Sequence, residues 1–302
     1  MEEERIAWID QYEYLEGELE AEVGQLCESK EAVQLRVRAD SFSGIDQVDR
    51  IAKAFVRLIK PHQRLSLWIG SNDLKSVPES VWELANLEEL ALSNNKLKTL
   101  SPAIAKLTNL RKLRIAWNPF EGFPEAVCKL EQLEEFLAGS CRLSALPSSF
   151  ASLRNLLELS LGRNAFEQFP EVICELRSLR ELYLHNNNLS SLPSSLVKLR
   201  ELRVFNIAIN RFKEFPQVVC ELSNLEQLDM WDNQMSELPL AITKLVRLVS
   251  LRLNDNQFTG FPLFLGDLPQ LSEFRSNGWF NLLVSIPLSH DWHRQSSSGS
   301  TK

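Results

Sequence analysis

Along most of this chain, apolar and polar positions follow one recurring pattern. In the stretch that begins at Leu179, the residues Leu179, Leu182 and Leu184 are apolar, Asn187 follows, and Leu189, Leu192 and Pro193 close the run. The alternation around Leu182 and Leu184 predicts a short strand with one buried face. The same pattern returns after 23 residues, so Asn72, Asn95, Asn118, Asn164, Asn187, Asn210, Asn233 and Asn256 fall in one column, with Cys141 in the single gap. A shift of 46 residues matches more closely still: NPFEGFPEAVCKL from Asn118 becomes NAFEQFPEVICEL from Asn164 and NRFKEFPQVVCEL from Asn210. Repeats of this length predict a solenoid in which each strand pairs with its counterpart in the next repeat, giving a parallel sheet.

Each column has a physical reason. An asparagine amide both donates and accepts, so a stacked column of them can satisfy the buried backbone of successive turns. Eight of the thirteen prolines share one column after the turn, where a fixed φ holds the chain extended; the second repeat has Ser101 there, with Pro102 beside it. Cys128, Cys174 and Cys220 are one position seen three times, which marks them as small buried packing residues and not as nucleophiles. The apolar pair after the asparagine alternates from the third repeat onward: Phe120/Phe123, Leu143/Leu146, Phe166/Phe169, Leu189/Leu192. Interleaved large and small layers suit interdigitated packing, and the alternation points to duplication of a two-repeat unit.

The two ends differ from the repeats, and a solenoid needs both ends covered. Ile6, Ile9, Tyr12, Leu15, Leu19, Val23 and Leu26 recur at spacings of three and four, which predicts an amphipathic helix. AVQLRVRA predicts a short strand. SGID at residues 43–46 reads as a capping box opening a second helix through Ile45, Val48, Ile51, Phe55 and Leu58, stopped near Pro61. Leu271 and Phe274 begin a tenth repeat in which Trp279 replaces the asparagine. The expected organisation is an α-rich capping region over residues 1–63, nine to ten repeats over 64–275, a C-terminal cap over 276–294 that folds over the last layer, and a flexible tail over 295–302.

The column pattern L-x-x-L-x-L-x-x-N/C-x-L, over about residues 64–275, resembles the leucine-rich repeat family. Its 23-residue unit with LPxxLxxL resembles the intracellular subclass of that family. The resemblance implies an α/β solenoid, a horseshoe with a parallel concave sheet, here with a helical N-terminal cap. In that family cysteine replaces the column asparagine, so Cys141 is expected to be a ladder residue. Relatives include scaffolds that bind Ras-like GTPases or protein phosphatases, and bacterial proteins delivered into host cells. The implied partner is therefore another protein, and the implied location is the cytoplasm, or the host cytoplasm for a bacterial effector.

Composition narrows the chemistry. The net charge of −7 is concentrated in residues 1–31, which hold eleven acids and two bases, while the remaining residues hold 29 acids and 31 bases. Neither part has the basic stripe of a nucleic-acid surface. No apolar run reaches the roughly 18–20 residues that span a membrane. The start MEEER is acidic where a secretory signal is basic. Five cysteines, an odd number in a large chain, fit a reducing compartment. No P-loop, zinc spacing or nucleophile–base arrangement occurs. Cys27 has no base near it in sequence. NLS at Asn188–Ser190 matches a glycosylation acceptor without a secretory context. Asp229, Asp232 and Asp255 are carboxylates that could ligate a cation, yet D-x-x-D on a strand splits its side chains. The sequence therefore predicts no catalytic residue, no metal and no cofactor.

Side chains that alternate with the core leucines should line the concave face, about 40 Å long for nine strands. They include Glu135, Glu158 and Glu181 in successive repeats. The aromatic, basic and acidic members picked as a protein-binding surface are Trp68, Arg114, Trp117, Arg163, Tyr183, His185, Ile209, Asp229, Trp231, Asp232 and Arg252. Tryptophan, tyrosine and arginine are the types enriched where proteins bind one another. The expected function is a non-enzymatic scaffold that binds a partner protein on the concave face. The alternative is the substrate-recognition module of a ubiquitin-ligase or secreted-effector system with catalysis held elsewhere.

Overall fold

A computed structural model describes residues 6–9, 34–38, 45–60, 63–260 and 262–276. Among these residues, twelve strands form one parallel sheet in strict chain order. They are β1 (Ile6–Ile9), β2 (Gln34–Arg38), β3 (Leu65–Trp68), β4 (Leu87–Ala91), β5 (Lys112–Arg114), β6 (Glu135–Leu137), β7 (Glu158–Ser160), β8 (Glu181–Tyr183), β9 (Val204–Asn206), β10 (Gln227–Asp229), β11 (Ser250–Arg252) and β12 (Glu273–Arg275). From β3 onward, one five-residue 3-10 helix lies between each pair of consecutive strands, from Glu79–Glu83 to Leu263–Asp267. Each such unit is one sequence repeat. No described helix is long and apolar enough to cross a membrane.

One helix, α1 (Ile45–Leu58), lies between β2 and β3. Val48, Ile51, Ala52 and Phe55 form its buried stripe, and it packs on the Glu79–Glu83 segment. Ser80 Oγ donates to Asp49 Oδ1 at 2.6 Å, and Lys53 Nζ lies 2.7 Å from the same carboxylate. These two contacts hold the Asp49 carboxyl below its usual range. Near the start of the chain, the first residues of the expected helix are corrected. Ile6–Ile9 is a strand, paired in parallel with Gln34–Arg38. The spacing of Ile6 and Ile9 suits a helix, but β-branched and aromatic residues in IAWI favour a strand when a sheet edge is available. Tyr12, Leu15, Leu19, Val23, Leu26, Cys27, Ser43 and Trp279, with the C-terminal cap and tail, lie outside the described residues.

The asparagine column is a hydrogen-bonded ladder. Asn95 Oδ1 accepts the N–H groups of Asn72 and Leu74 from the preceding repeat, both at 3.0 Å. Its Nδ2 donates to the carbonyls of Ile69 and Leu92, both at 2.9 Å. The Asn95 side chain thus serves four backbone groups, three of them in the preceding repeat. Asn164 repeats all four contacts, while Asn118, Asn187, Asn210, Asn233 and Asn256 each accept one N–H and donate to the same two carbonyl positions. Cys141 keeps half of this. Its Sγ donates to the Ile115 carbonyl at 3.2 Å, but a thiol is a weak acceptor. The Phe120 N–H, which an asparagine at 141 would receive, turns to the Asn118 carbonyl at 3.0 Å.

Just before each ladder residue the chain bends through the left-handed region. Ser71, Asn94, Trp117, Ser140, Arg163, Asn186, Ile209, Asp232 and Asp255 all have φ between 52° and 58°. This bend aims each N–H at a carbonyl of the next repeat, as in Trp117 to Gly139 at 2.9 Å and Ile209 to Trp231 at 2.8 Å. Asparagine and aspartate tolerate the region, whereas a β-branched isoleucine is strained there. On the opposite side, prolines such as Pro78, Pro147 and Pro193 open the 3-10 helices at φ of −59°, −72° and −75°. Where Pro102 comes one residue late, Ser101 caps the segment by accepting from the Ala103 N–H. Between the two sides the core is continuous, and Phe123, Phe136 and Phe150 meet edge to face or tilted at 5.5–6.2 Å.

Two stability results are expected. Asn118→Ala removes the acceptor for the Leu97 N–H and the donor to the Leu92 and Ile115 carbonyls, and at about 1–3 kcal/mol per stranded buried group it lowers unfolding free energy by roughly 3 kcal/mol. Cys141→Asn raises it by about 0.5–1.5 kcal/mol, by completing the ladder; denaturant titration of both variants reads the difference. Ile209→Asn relieves left-handed strain and raises the urea midpoint, by an amount equivalent to about 1 kcal/mol.

Candidate functional site

Strand pairing lays the side chains that face away from the core in rows. One row runs Glu89, Lys112, Glu135, Glu158, Glu181, Val204, Gln227, Ser250. The next runs Trp68, Ala91, Arg114, Leu137, Ser160, Tyr183, Asn206, Asp229, Arg252. Between them Leu67, Leu90, Leu113, Phe136, Leu159, Leu182, Phe205, Leu228 and Leu251 point into the core, as the two-residue period of a strand requires.

The residues singled out in the sequence fall in three rows. Trp68, Arg114, Tyr183, Asp229 and Arg252 belong to the strand row. His185 and Trp231 lie two residues beyond it. Trp117, Arg163, Ile209 and Asp232 occupy the left-handed turn row. Several meet. The Arg114 guanidinium lies over the Trp68 ring at 5.5 Å, two strands away, because the position between them is Ala91. Arg163 lies over Trp117 at 5.7 Å, again two repeats apart, with Ser140 between. Trp117 is nevertheless 56% exposed. Each stack contributes about 0.5–1 kcal/mol at such sites and holds a long arginine in one place.

Arg114 also bridges two carboxylates, with Nη1 3.0 Å from Glu89 and Nε 2.7 Å from Glu135. Burial opposes its charge, yet the hydrogen bond to Glu135 and the nearby Glu89 and Glu158 hold it firmly protonated. Tyr183 donates to Glu181 Oε2 at 2.6 Å, and burial with that bond pushes its phenol well above the usual range. His185 stands alone: burial and Arg163 hold its imidazole below the usual range, and its Nδ1 has no hydrogen-bond partner among the described residues. Its ring lies over Gly162, where an added Cβ would come within 2.4 Å.

The aspartates do not gather. Asp229 is only 3% exposed, accepting from Asn206 and Gln227 and facing Arg252 Nε at 3.7 Å. Asp232 and Asp255 are exposed on the turn row. Among the described residues, no three His, Cys, Asp or Glu side chains converge as metal ligands. All four described cysteines are free thiols, and burial raises each, Cys141 and Cys220 to about 11.

The row of Glu135, Glu158 and Glu181 was visible as three acids at 23-residue spacing but was not among the picked residues. All three are half-buried. Burial and then repulsion from Glu135 and Glu181 push the Glu158 carboxyl up, with Arg114 and Lys112 only partly opposing. A carboxyl raised in the fold contributes full stability below its ordinary pKa and loses it as pH rises through the folded value. Glu158→Gln is therefore expected to leave stability unchanged near pH 4 and to raise it at pH 7 by about 0.5–1 kcal/mol, the size of a cross-strand charge pair; urea midpoints at the two pH values read this.

Two family models match the chain, one described as a leucine rich repeat over residues 65–120 and one as a leucine-rich repeat region over residues 103–214. No curated protein sequence matches it. Among solved structures, an LRR protein of Leptospira interrogans is 25% identical, with a TM-score of 0.72 over 89% of this chain and 71% of its own. A TDR receptor is 29% identical, with a TM-score of 0.64 over 79% of this chain and 43% of its own. The Arabidopsis receptor kinase HAESA, solved in complex with the peptide hormone IDA and the co-receptor SERK1, is 26% identical, with a TM-score of 0.60 over 81% and 46%. This chain thus spans less than half the length of those two receptor chains.

Proposed function

Because this chain belongs to the leucine-rich repeat family, and so to a class of protein-interaction modules, we propose that it is a non-enzymatic scaffold that binds its partner protein on the concave sheet. The observation that carries this reading is the pair of stacks that cross the sheet, Arg114 on Trp68 and Arg163 on Trp117. They fix arginine and tryptophan in place on an open surface, the residue types and preorganisation that protein recognition uses. HAESA, similar in fold and held in complex with a peptide hormone, supports a protein or peptide ligand. The finer reading follows the repeat type. The 23-residue unit with LPxxLxxL and the four free thiols support a cytoplasmic signalling scaffold of the intracellular kind, with a GTPase or phosphatase as the class of partner.

The test is affinity capture with the full chain against a Trp117→Ala/Tyr183→Ala/Trp231→Ala variant, both folded by circular dichroism. A second variant, Leu240→Ala/Leu263→Ala, removes two side chains that are 65% and 71% exposed at the start of their 3-10 helices. The expected outcome is a partner lost with the first variant and kept with the second. The reverse outcome places recognition on the 3-10 side and ends the concave reading.

A further inference from the structure

The sheet face from β6 to β8 carries a charge that the described residues leave unmatched. Glu135, Glu158 and Glu181 stand directly opposite one another in register. Arg114 is committed to Glu89 and Glu135, and Lys112 leans on Glu135 at 3.8 Å. Among the described residues, neither Glu158 nor Glu181 forms an ion pair; Glu181 accepts only the Tyr183 hydroxyl. Elsewhere the molecule pairs its surface charges across repeats, as in Lys98–Glu121, Lys106–Glu83, Lys198–Glu175 and Lys244–Glu221 at 2.6–2.9 Å. An exposed glutamate without a partner is stabilised by water, but Glu158 is half-buried between two other carboxylates, so its charge is costly.

Beyond the strand row, neighbouring repeats pack closely over two glycines. Gly139 and Gly162 occupy the row beyond Leu137 and Ser160. A Cβ on Gly139 would lie 3.1 Å from the Gly162 carbonyl, and one on Gly162 would strike the His185 ring at 2.4–2.7 Å. Between the glutamates and the Trp117–Arg163 stack lie Leu137, Ser160 and Tyr183 of the strand row, then Gly139, Gly162 and His185, whose ring covers Gly162.

We propose that this face of the sheet receives an extended, basic segment of the partner protein, with a lysine or arginine seated between Glu158 and Glu181. Charge complementarity selects the occupant. A guanidinium or ammonium there supplies the cation that the row lacks, and a guanidinium can engage a carboxylate through two parallel N–H donors. The exposed ring of Trp117 offers the segment an aromatic face. Acidic peptides and nucleic acid are repelled by the same row. The proposal deepens the concave-face reading and rests on it.

The experiment pans a phage-displayed library of random peptides against the full chain, a Glu158→Gln/Glu181→Gln variant and a Trp117→Ala/Arg163→Ala variant, each checked for a native circular dichroism spectrum and cooperative melting. For wild type, the expected pool carries lysine or arginine at a recurrent position. Affinity of the selected peptides for the glutamine variant falls about tenfold or more, as loss of one partner of a close charge pair requires. Neutral or acidic peptides that bind wild type and are lost with the Trp117→Ala/Arg163→Ala variant overturn the basic-segment proposal and leave concave recognition standing. Peptides that bind all three proteins equally overturn both.

Discussion

Everything in this molecule depends on satisfying backbone groups that are buried at each turn. Every 23 residues the chain leaves a strand inside the protein, where bare N–H and C=O groups cost about 1–3 kcal/mol each. The asparagine side chain answers this with one acceptor and one two-proton donor. Because Asn95 receives N–H groups from Asn72 and Leu74, the answer for one repeat is supplied by the next. No repeat is complete alone, and the repeat length cannot drift without breaking two turns at once. Strand register, the column of leucines and the common left-handed bend all follow from that coupling.

The same coupling explains why the concave rows are free to vary. Leucines and asparagines carry the framework, so side chains facing the other way from the strands have no structural duty. What occupies them is nevertheless organised. Trp68 and Arg114, and Trp117 and Arg163, each reach over a small residue to stack two repeats apart. Glu158 is placed between two other glutamates against its own electrostatic interest. A framework with spare stability can tolerate such placements, and places where local preference is overruled are where function is expected.

The repeat columns were legible because they obey one-dimensional rules. The leucine alternation, the ladder, the prolines and the identity of Cys141 as a ladder member need only spacing and donor–acceptor chemistry, and α1 needs only the stripe through Val48, Ile51 and Phe55. The sites were less legible, for reasons that spacing does not encode. Whether Arg114 touches Trp68 depends on Ala91 being small and on the side chain choosing to cross a strand. Asp229 faces the concave side yet is covered by its neighbours. Ile209 and Trp117 adopt a backbone conformation their own types disfavour, imposed by the column and not by the residue. Ile6–Ile9 carries a helical spacing and forms a strand because a parallel edge is there to receive it.

Amide hydrogen exchange under native conditions tests the ladder most directly. The N–H groups of Leu97, Leu143, Phe166, Leu189, Phe212 and Met235, each received by an asparagine of the next repeat, should exchange together and only as slowly as several repeats open at once. Phe120, which faces Cys141, should exchange faster than its six counterparts. If the six exchange as quickly as the exposed amides of the 3-10 helices, or each at its own unrelated rate, the ladder does not couple the repeats and the account of this fold fails.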